Sequence, residues 1–217
     1  MVNFNEEKKL WKQGYECVVG LDEAGRGPLA GPVVAGAVMV KGKSIKLKGL
    51  DDSKKISEKQ REYFYGILTN HSHIIWGVGI VSEKEIDKIN ILEASKLAMK
   101  KALRQAQGKA VKSLNADFLL IDGNFGLQEK IPERSIIKGD SKVFSIAAAS
   151  IIAKVTRDRL MHNMHKKYPQ YGFDLHKGYG TALHIANLKN FGPSKIHRKT
   201  FFPVRALNHE MLLRDFL

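Results

Sequence analysis

The 217-residue sequence contains a single cysteine, Cys17, which excludes an internal disulfide. One thiol also cannot supply the cysteine pairs of the common zinc motifs, and no carboxylate or cysteine pattern completes such a motif around the eight histidines. A disulfide scaffold is therefore excluded, and a cysteine-based zinc site is not expected. We expect Cys17 to pack as a small hydrophobic residue.

Long hydrophobic runs are also missing. No stretch reaches 18 uninterrupted apolar residues, and the N-terminal segment MVNFNEEKKLWKQ contains no apolar signal region. The sequence therefore predicts neither a membrane-spanning helix nor a secreted protein. We expect a cytoplasmic monomer that does not bind membranes.

Acidic residues are scarce relative to basic ones. The chain has 22 Asp and Glu against 36 Lys and Arg, which gives a formal net charge of +14. An excess of this size favours a polyanionic partner, and nucleic acid is the leading candidate.

What the sequence does contain is an alternation of apolar runs and helical patterns. With 43% hydrophobic residues, the chain is long enough for one substantial α/β core. Apolar runs predict strands at residues 18–21, 33–40, 73–82, 117–124 and 134–138. Capping signals at Ser57, Ser82, Asn90 and Thr181, together with helical spacing, predict helices at residues 3–13, 58–68 and 90–107, from residue 144 onward, and from Thr181 to about residue 190.

The domain organisation follows from this alternation. We expect one domain at residues 1–167 and a C-terminal extension at 168–217 that packs on it, the two forming a single structural unit.

The turn after the first predicted strand is the most informative stretch. Asp22 and Glu23 follow the apolar run directly, and Gly25, Arg26 and Gly27 come next. This segment is too polar and too rich in glycine to continue a strand, so we expect it to turn the chain. Adjacent side chains on a regular strand point to opposite faces. The two acids can therefore share one site only if the strand stops or bulges between them.

Two more predicted strands also end in an acid, at Asp122 and near Asp140. Strand ends in an open α/β sheet can converge on one crevice. Four carboxylates in one place are tolerable only if divalent cations neutralise them, and oxygen ligands favour Mg²⁺ or Mn²⁺ over zinc. In a basic protein, two such ions would support phosphodiester hydrolysis. The pattern predicts a metal-dependent nuclease.

Five sequence blocks also resemble a known family. VGLDEAGRGPLAGPVVAGAV, DDSKKIS, LLIDGN, KGDSKVFSIAAASIIAKVTRD and HKGYGT resemble, in order, the signature blocks of bacterial ribonuclease HII, the type 2 ribonuclease H. The resemblance covers roughly residues 18–181. It implies a ribonuclease H-like α/β fold, with a mixed five-stranded sheet flanked by helices and here followed by a C-terminal helical extension. It also implies cleavage of RNA in RNA–DNA hybrids and at the 5′ side of ribonucleotides embedded in duplex DNA.

The same resemblance implies roles for individual residues. The catalytic metal ligands would be Asp22, Glu23, Asp122 and Asp140, holding two Mg²⁺ or Mn²⁺ ions. Asp158 lies in the same block as Asp140, and we prefer Asp140 because Asp158 stands between two arginines and suits a surface ion pair.

Substrate-binding roles are implied for two further segments. Gly25-Arg26-Gly27 would hold the ribonucleotide through backbone groups, and Tyr179 would stack near its sugar.

Further substrate contacts are predicted before the second helix, where Ser53, Lys54 and Lys55 precede its N-terminus. Phosphate binding is natural at such a position, although a solvated turn explains the same residues. Two other functions remain open from the sequence. One is a non-catalytic basic nucleic-acid-binding protein, and the other is a resolvase-like or integrase-like two-metal nuclease.

Overall fold

The computed structural model describes residues 2–40, 45, 47, 49–50, 53, 55–109 and 115–207, and its strands form one sheet. They are β1 (Val18–Ala24), β2 (Val33–Val40), β3 (Ile74–Val81), β4 (Phe118–Asp122) and β5 (Glu133–Ile136). The spatial order is β3-β2-β1-β4-β5. β2 pairs antiparallel with β1 and β3, whereas β4 pairs parallel with β1 and β5. The predicted mixed five-stranded sheet is confirmed.

Helices connect and cover these strands. They are α1 (Asn5–Lys12), α2 (Glu58–Asn70), α3 (Glu83–Lys109), α4 (Phe144–Lys167), α5 (Phe173–His176) and α6 (Ala182–Phe191). The predicted caps are present: the hydroxyl of Ser57 accepts from the N–H of Gln60, and that of Thr181 accepts from the N–H of His184. Across the described residues, none of the helices has both the length and the apolar character needed to cross a bilayer.

The long helix α3 contains a predicted cap in its interior. Asn90 has a φ of 66°, and its Oδ1 accepts from the N–H groups of Leu92 and Glu93. The helical path therefore starts afresh at this residue, as the sequence predicts. The helix also begins earlier, at Glu83, where the predicted cap Ser82 accepts from the N–H of Glu85 at 3.3 Å. Asn90 therefore marks a kink and not the start of the helix.

The sheet is packed between α3 and α4. Val19 and Leu21 of β1 share a core cluster with α3, whereas Val18 shares one with Ile146 of α4. Alternate residues of a strand point to opposite faces. Even-numbered positions of β1 therefore face α4 and odd-numbered ones face α3.

Glycines in the strands allow both helices to approach closely. A Cβ added to Gly36 would lie 2.3 Å from the carbonyl oxygen of Ala149 in α4, and one added to Gly79 would lie 1.9 Å from that of Ala98 in α3. No side chain fits at such distances, so the two helix backbones rest almost directly on the sheet.

The segment after α6 runs back beside the loop that joins β1 to β2. The N–H of Arg198 donates to the carbonyl of Leu29, and the N–H of Gly31 donates to that of Ile196, each at 2.8 Å. This pairing places the C-terminal segment 194–198 immediately behind the turn at residues 25–27.

Candidate active site

β1 carries both of its acids inside regular strand pairing. Asp22 lies opposite Gly36 and Glu23 opposite Ala35, and the antiparallel ladder continues past both. The strand therefore neither stops nor bulges between them, and the predicted end of the strand at residue 21 is wrong, because β1 continues to Ala24. The reason is that β2 still supplies backbone partners at this level, whereas the parallel pairing with β4 already ends at Leu21. Asp22 and Glu23 thus lie just beyond the last residue of β1 that pairs with β4, where β2 still pairs with β1.

Three carboxylates meet on the α4 side of the sheet. Asp22 at the end of β1, Asp122 at the end of β4, and Asp140 each offer an oxygen, and these oxygens lie within 4.8 Å of one another. Asp22 and Asp122 share this face because both occupy even-numbered positions of adjacent parallel strands. The sequence prediction that strand ends bring these acids together is confirmed for the three.

Asp140 reaches the group through a tight turn before α4. One turn of 3₁₀ helix, Gly139–Ser141, follows Lys138, which has a φ of 55°. The N–H groups of Gly139 and Asp140 donate to Oδ1 of Asp122 at 2.7 and 3.4 Å. The carboxylate of Asp122 therefore holds in place the turn that supplies the third acid.

Burial and mutual repulsion act on the central member of the group. Asp22 is 3% exposed. Burial first, and then the neighbouring carboxylates of Glu23 and Asp122, raise the pKa of Asp22 well above its ordinary value, while a hydrogen bond from Ser150 opposes this rise. A divalent cation would relieve the repulsion among these acids. The donor set contains only carboxylate oxygens, which fits Mg²⁺ or Mn²⁺ and not a structural zinc.

Glu23 lies beside this group, on the other side of the strand. Its N–H donates to Oδ1 of Asp22 at 2.7 Å, and its Oε1 is 3.4 Å from Nη1 of Arg26. In the described part of the chain, the mutually close group consists of the three aspartates and does not include Glu23. Its negative charge still contributes to the raised pKa of Asp22.

Asp158, the alternative fourth acid, is engaged elsewhere. Its Oδ1 accepts from Nζ of Lys154 one helical turn away at 2.7 Å, and the residue is 7% exposed. The expected ion pair is therefore present, although it is largely buried and its partner is a lysine. The structure brings Asp140, and not Asp158, to Asp22 and Asp122.

The glycine-rich turn and the predicted stacking tyrosine adjoin each other. Gly25 has a φ of 102°, a conformation that favours glycine, while Arg26 and Gly27 are exposed. A Cβ added to Gly27 would lie 3.9 Å from the ring of Tyr179, which is 44% exposed. The two predicted substrate segments thus form one continuous surface next to the acids.

The predicted phosphate-binding residues before α2 differ in their placement. Ser53 is 3% exposed, and its hydroxyl lies 2.7 Å from that of Ser150, which in turn hydrogen bonds to Asp22. Its side chain therefore supports the acid group from behind. Lys55 is exposed, and Lys54 lies outside the described residues. Phosphate binding by these three residues stays a prediction.

Sequence reasoning missed two residues that adjoin the site. Arg157 and Arg198 are both 0% exposed, although arginine side chains are mostly exposed in proteins. The sequence gives no local signal for Arg157, which stands among Lys154, Asp158 and Arg159. Nothing in the local pattern around Arg198 separates it from its exposed neighbour Lys199.

A chain of buried histidines supports the Tyr179 loop. The N–H of Ser194 donates to Nδ1 of His197, so Nε2 of His197 carries the proton and donates to Nε2 of His184 at 3.0 Å. Nδ1 of His184 then donates to the carbonyl of Tyr179 at 2.9 Å. His176 is stacked on His184. The network is complete when all three imidazoles are neutral.

This network predicts acid sensitivity. Burial lowers the pKa of His184 from 6.5 to about 4 and that of His197 from 6.5 to about 3. Between these values and 6.5 the unfolded chain binds more protons than the folded one, so the free energy of unfolding should fall as the pH drops from 6.5 to 4. Melting temperatures measured across this range for wild type and His184→Gln should show a shallower decline in the variant. An equal decline of melting temperature with pH in the two proteins would contradict the assignment of neutral, buried imidazoles to this network.

Solved structures with a similar fold identify the class of protein to which this sheet and acid group belong. The ribonuclease H2 of Pyrococcus horikoshii OT3 has a TM-score of 0.71 and 28% identity, covering 90% of this chain and 99% of its own. A Bst ribonuclease HIII in complex with Mn²⁺ has a TM-score of 0.70 over 89% of this chain and 70% of its own; at 15% identity it shows the fold alone. The protein has the ribonuclease H-like fold.

Sequence relatives narrow the class. The family model of ribonuclease HII matches residues 19–204. Ribonuclease HII of Chlamydia muridarum (strain MoPn / Nigg) is 55% identical, with 92% of this chain and 88% of the relative covered. Ribonuclease HII of Chlamydia trachomatis serovar A is 54% identical, with 92% and 91% covered. The chain belongs to the ribonuclease HII family and is an endoribonuclease acting on RNA–DNA hybrids. The non-catalytic and resolvase-like alternatives are not favoured.

Proposed function

We propose that Asp22, Glu23, Asp122 and Asp140 hold two divalent cations, Mg²⁺ or Mn²⁺, for phosphodiester hydrolysis. The observation that carries this proposal is the group of three aspartate oxygens within 4.8 Å of one another. Glu23 adds a fourth charge from the adjacent position. The Bst ribonuclease HIII, which shares this fold, is in complex with Mn²⁺ and so supports a divalent cation here.

The bound cations would lower the pKa of an attacking water and stabilise the leaving oxygen. The residues of the chain would provide the framework for this chemistry. Asp122 orients Asp140 through the turn amides, while Ser150 and Ser53 hold Asp22 from behind. Because these contacts exist before substrate binds, the ligand oxygens need little rearrangement during the reaction.

The turn Gly25-Arg26-Gly27 and Tyr179 would recognise the ribonucleotide. A 2′-hydroxyl is the group that distinguishes RNA from DNA locally, and it both donates and accepts hydrogen bonds. Backbone groups of the turn can approach a sugar closely because glycine has no Cβ. The Tyr179 ring lies beside Gly27 and is exposed enough to contact that sugar. Recognition and chemistry would thus meet at adjacent residues of β1 and the following turn.

Substitution of Tyr179 tests this recognition surface. We expect Tyr179→Ala to lower kcat/KM on a DNA duplex with one embedded ribonucleotide by roughly tenfold or more, because a ring contact with the nucleotide is lost. Tyr179→Phe serves as the matched control, since it retains the ring and removes only the hydroxyl. Products should carry a 3′-hydroxyl and a 5′-phosphate, with the cut on the 5′ side of the ribonucleotide. Unchanged cleavage by Tyr179→Ala would remove this residue from the site.

Several features complete the proposal. Ser53, Lys54 and Lys55 would contact or support the substrate backbone near α2. Residues 1–167 and 168–217 would act as one structural unit, because the C-terminal segment pairs with the loop after β1. The enzyme would act as a cytoplasmic monomer that removes ribonucleotides during DNA replication and repair.

A further inference from the structure

Two buried arginines lie directly behind the substrate turn. Arg157 of α4 and Arg198 of the C-terminal segment are among the largest fully buried side chains of the described residues. A guanidinium at this depth is costly unless its N–H groups find acceptors. The proposed chemistry gives neither residue a role, so their acceptors indicate what they do.

Arg198 donates to three carbonyls of the loop after β1. Its Nη2 donates to the carbonyl of Gly25 at 2.6 Å, its Nη1 to that of Arg26 at 2.9 Å, and its Nε to that of Gly31 at 3.0 Å. Both ends of the loop are thereby attached to one planar group. The fork geometry of a guanidinium suits this task, whereas a lysine offers a single nitrogen.

Arg157 completes the arrangement from α4. It donates from Nε to the carbonyl of Pro32 at 3.0 Å, from Nη2 to that of Ala30 at 3.2 Å, and from Nη1 to that of Lys177 at 3.0 Å. A Cβ added to Gly25 would lie 2.1 Å from Nε of this arginine. The turn is therefore packed directly onto the guanidinium, and the same side chain also fixes the loop that leads to Tyr179.

These contacts determine where the turn amides point. In a planar trans peptide the C=O of one residue and the N–H of the next point in opposite directions. The carbonyls of Gly25 and Arg26 are directed inward to Arg198. The N–H groups of Arg26 and Gly27 must then point outward, on the exposed side of the turn near the Tyr179 ring.

We propose that Arg198 and Arg157 are positioning residues for ribose selectivity: by holding the carbonyls of the loop at residues 25–32, they aim the amides of Arg26 and Gly27 at the 2′-hydroxyl. This inference rests on the proposed recognition of the ribonucleotide by the turn. The discrimination between ribose and deoxyribose, which the turn makes, would then depend on two buried residues that orient the turn without contacting the substrate.

A surface residue anchors the C-terminal segment that carries Arg198, residues 194–200, which we call the arm. Asp87 of α3 accepts from the N–H groups of Lys199 and Thr200 at 2.9 and 3.0 Å, and from the hydroxyl of Thr200 at 2.7 Å. These bonds hold the backbone immediately after Arg198. Asp87 therefore offers a way to loosen the arm without opening the core.

The test measures a ratio of affinities with the full chain in EDTA, where cleavage does not occur. The ribose increment is the affinity for a duplex with one ribonucleotide divided by that for the all-DNA duplex of the same sequence. Two amide hydrogen bonds should give the wild type an increment of about tenfold. Arg198→Lys retains the charge but loses the fork, so its increment should fall to within about twofold of one, while affinity for all-DNA duplex stays unchanged.

Two further variants keep the result interpretable. Leu68→Ala destabilises a distant buried site in α2 and should keep the full increment, which separates positioning from a general loss of stability. Asp87→Ala loosens the arm from the surface and should lose part of the increment, which provides the test if Arg198→Lys does not fold. A full increment in Arg198→Lys would overturn the proposal. If Arg198→Lys does not fold, a full increment in Asp87→Ala would overturn it. An increment absent from the wild type would instead refute ribose recognition by the turn.

Discussion

Replacing Asp122 with Asn should reduce the cleavage rate at least about a thousandfold, since several kcal/mol of transition-state stabilisation depend on the cations. The substitution is close to isosteric, and the amide oxygen of Asn can still accept from the N–H of Gly139. The turn that carries Asp140 should therefore remain in place. Affinity for the hybrid should change little, because Lys and Arg contacts with phosphates supply most of it.

The matched control is Asp158→Asn. This residue lies on α4 and pairs with Lys154. Because the pair is largely buried, its loss should lower stability, but it should leave turnover within about threefold of wild type. Single-turnover kinetics and hybrid binding, measured in parallel on both variants, separate chemistry from affinity. Near-normal turnover in Asp122→Asn would contradict the metal-site proposal, and loss of turnover in Asp158→Asn would reopen the choice of the fourth acid.

A large loss of stability is expected from Gly36→Ala. The new Cβ would lie 2.3 Å from the carbonyl oxygen of Ala149, so the backbone of α4 must move away from the sheet. Overpacking of this kind against a rigid neighbour should cost about 3 kcal/mol or more. For a chain of this size the melting temperature should then fall by roughly 10 °C, if the protein folds at all.

Gly66→Ala should have the opposite effect on the stability of the protein. Gly66 lies inside α2, and a Cβ added there would meet no atom within 4 Å. Alanine is the better helix former by about 1 kcal/mol, so this variant should be more stable than wild type. Thermal unfolding of both variants tests the packing directly. Similar melting temperatures for the two would contradict the close approach of α4 to β2.

The sequence predicted the elements of this fold well because their signals are local. The β2 strand and the caps at Ser57 and Thr181 depend on neighbours within a few residues, and they lie where predicted. The convergence of Asp22 with Asp122 was also predictable, since both follow apolar runs that form adjacent parallel strands.

What the sequence could not predict depends on distant partners. The pairing of Asp22 and Glu23 with β2 requires that β2 extend further than β4 does, which no local pattern shows. The burial of Arg198 depends on carbonyls more than 160 positions earlier in the chain, including that of Gly31. Long basic side chains look alike in a sequence whether they lie in solvent or under a loop.

The central claim is that this acid group performs cation-dependent cleavage at ribonucleotides. The direct measurement titrates Mg²⁺ and Mn²⁺ against three labelled duplexes of one sequence: an RNA–DNA hybrid, a DNA duplex with one ribonucleotide, and all-DNA. The account predicts cleavage of the first two only when cation is present, with the single cut on the 5′ side of the ribonucleotide and the all-DNA duplex intact. Cleavage in EDTA, or cleavage of the all-DNA duplex, would contradict it.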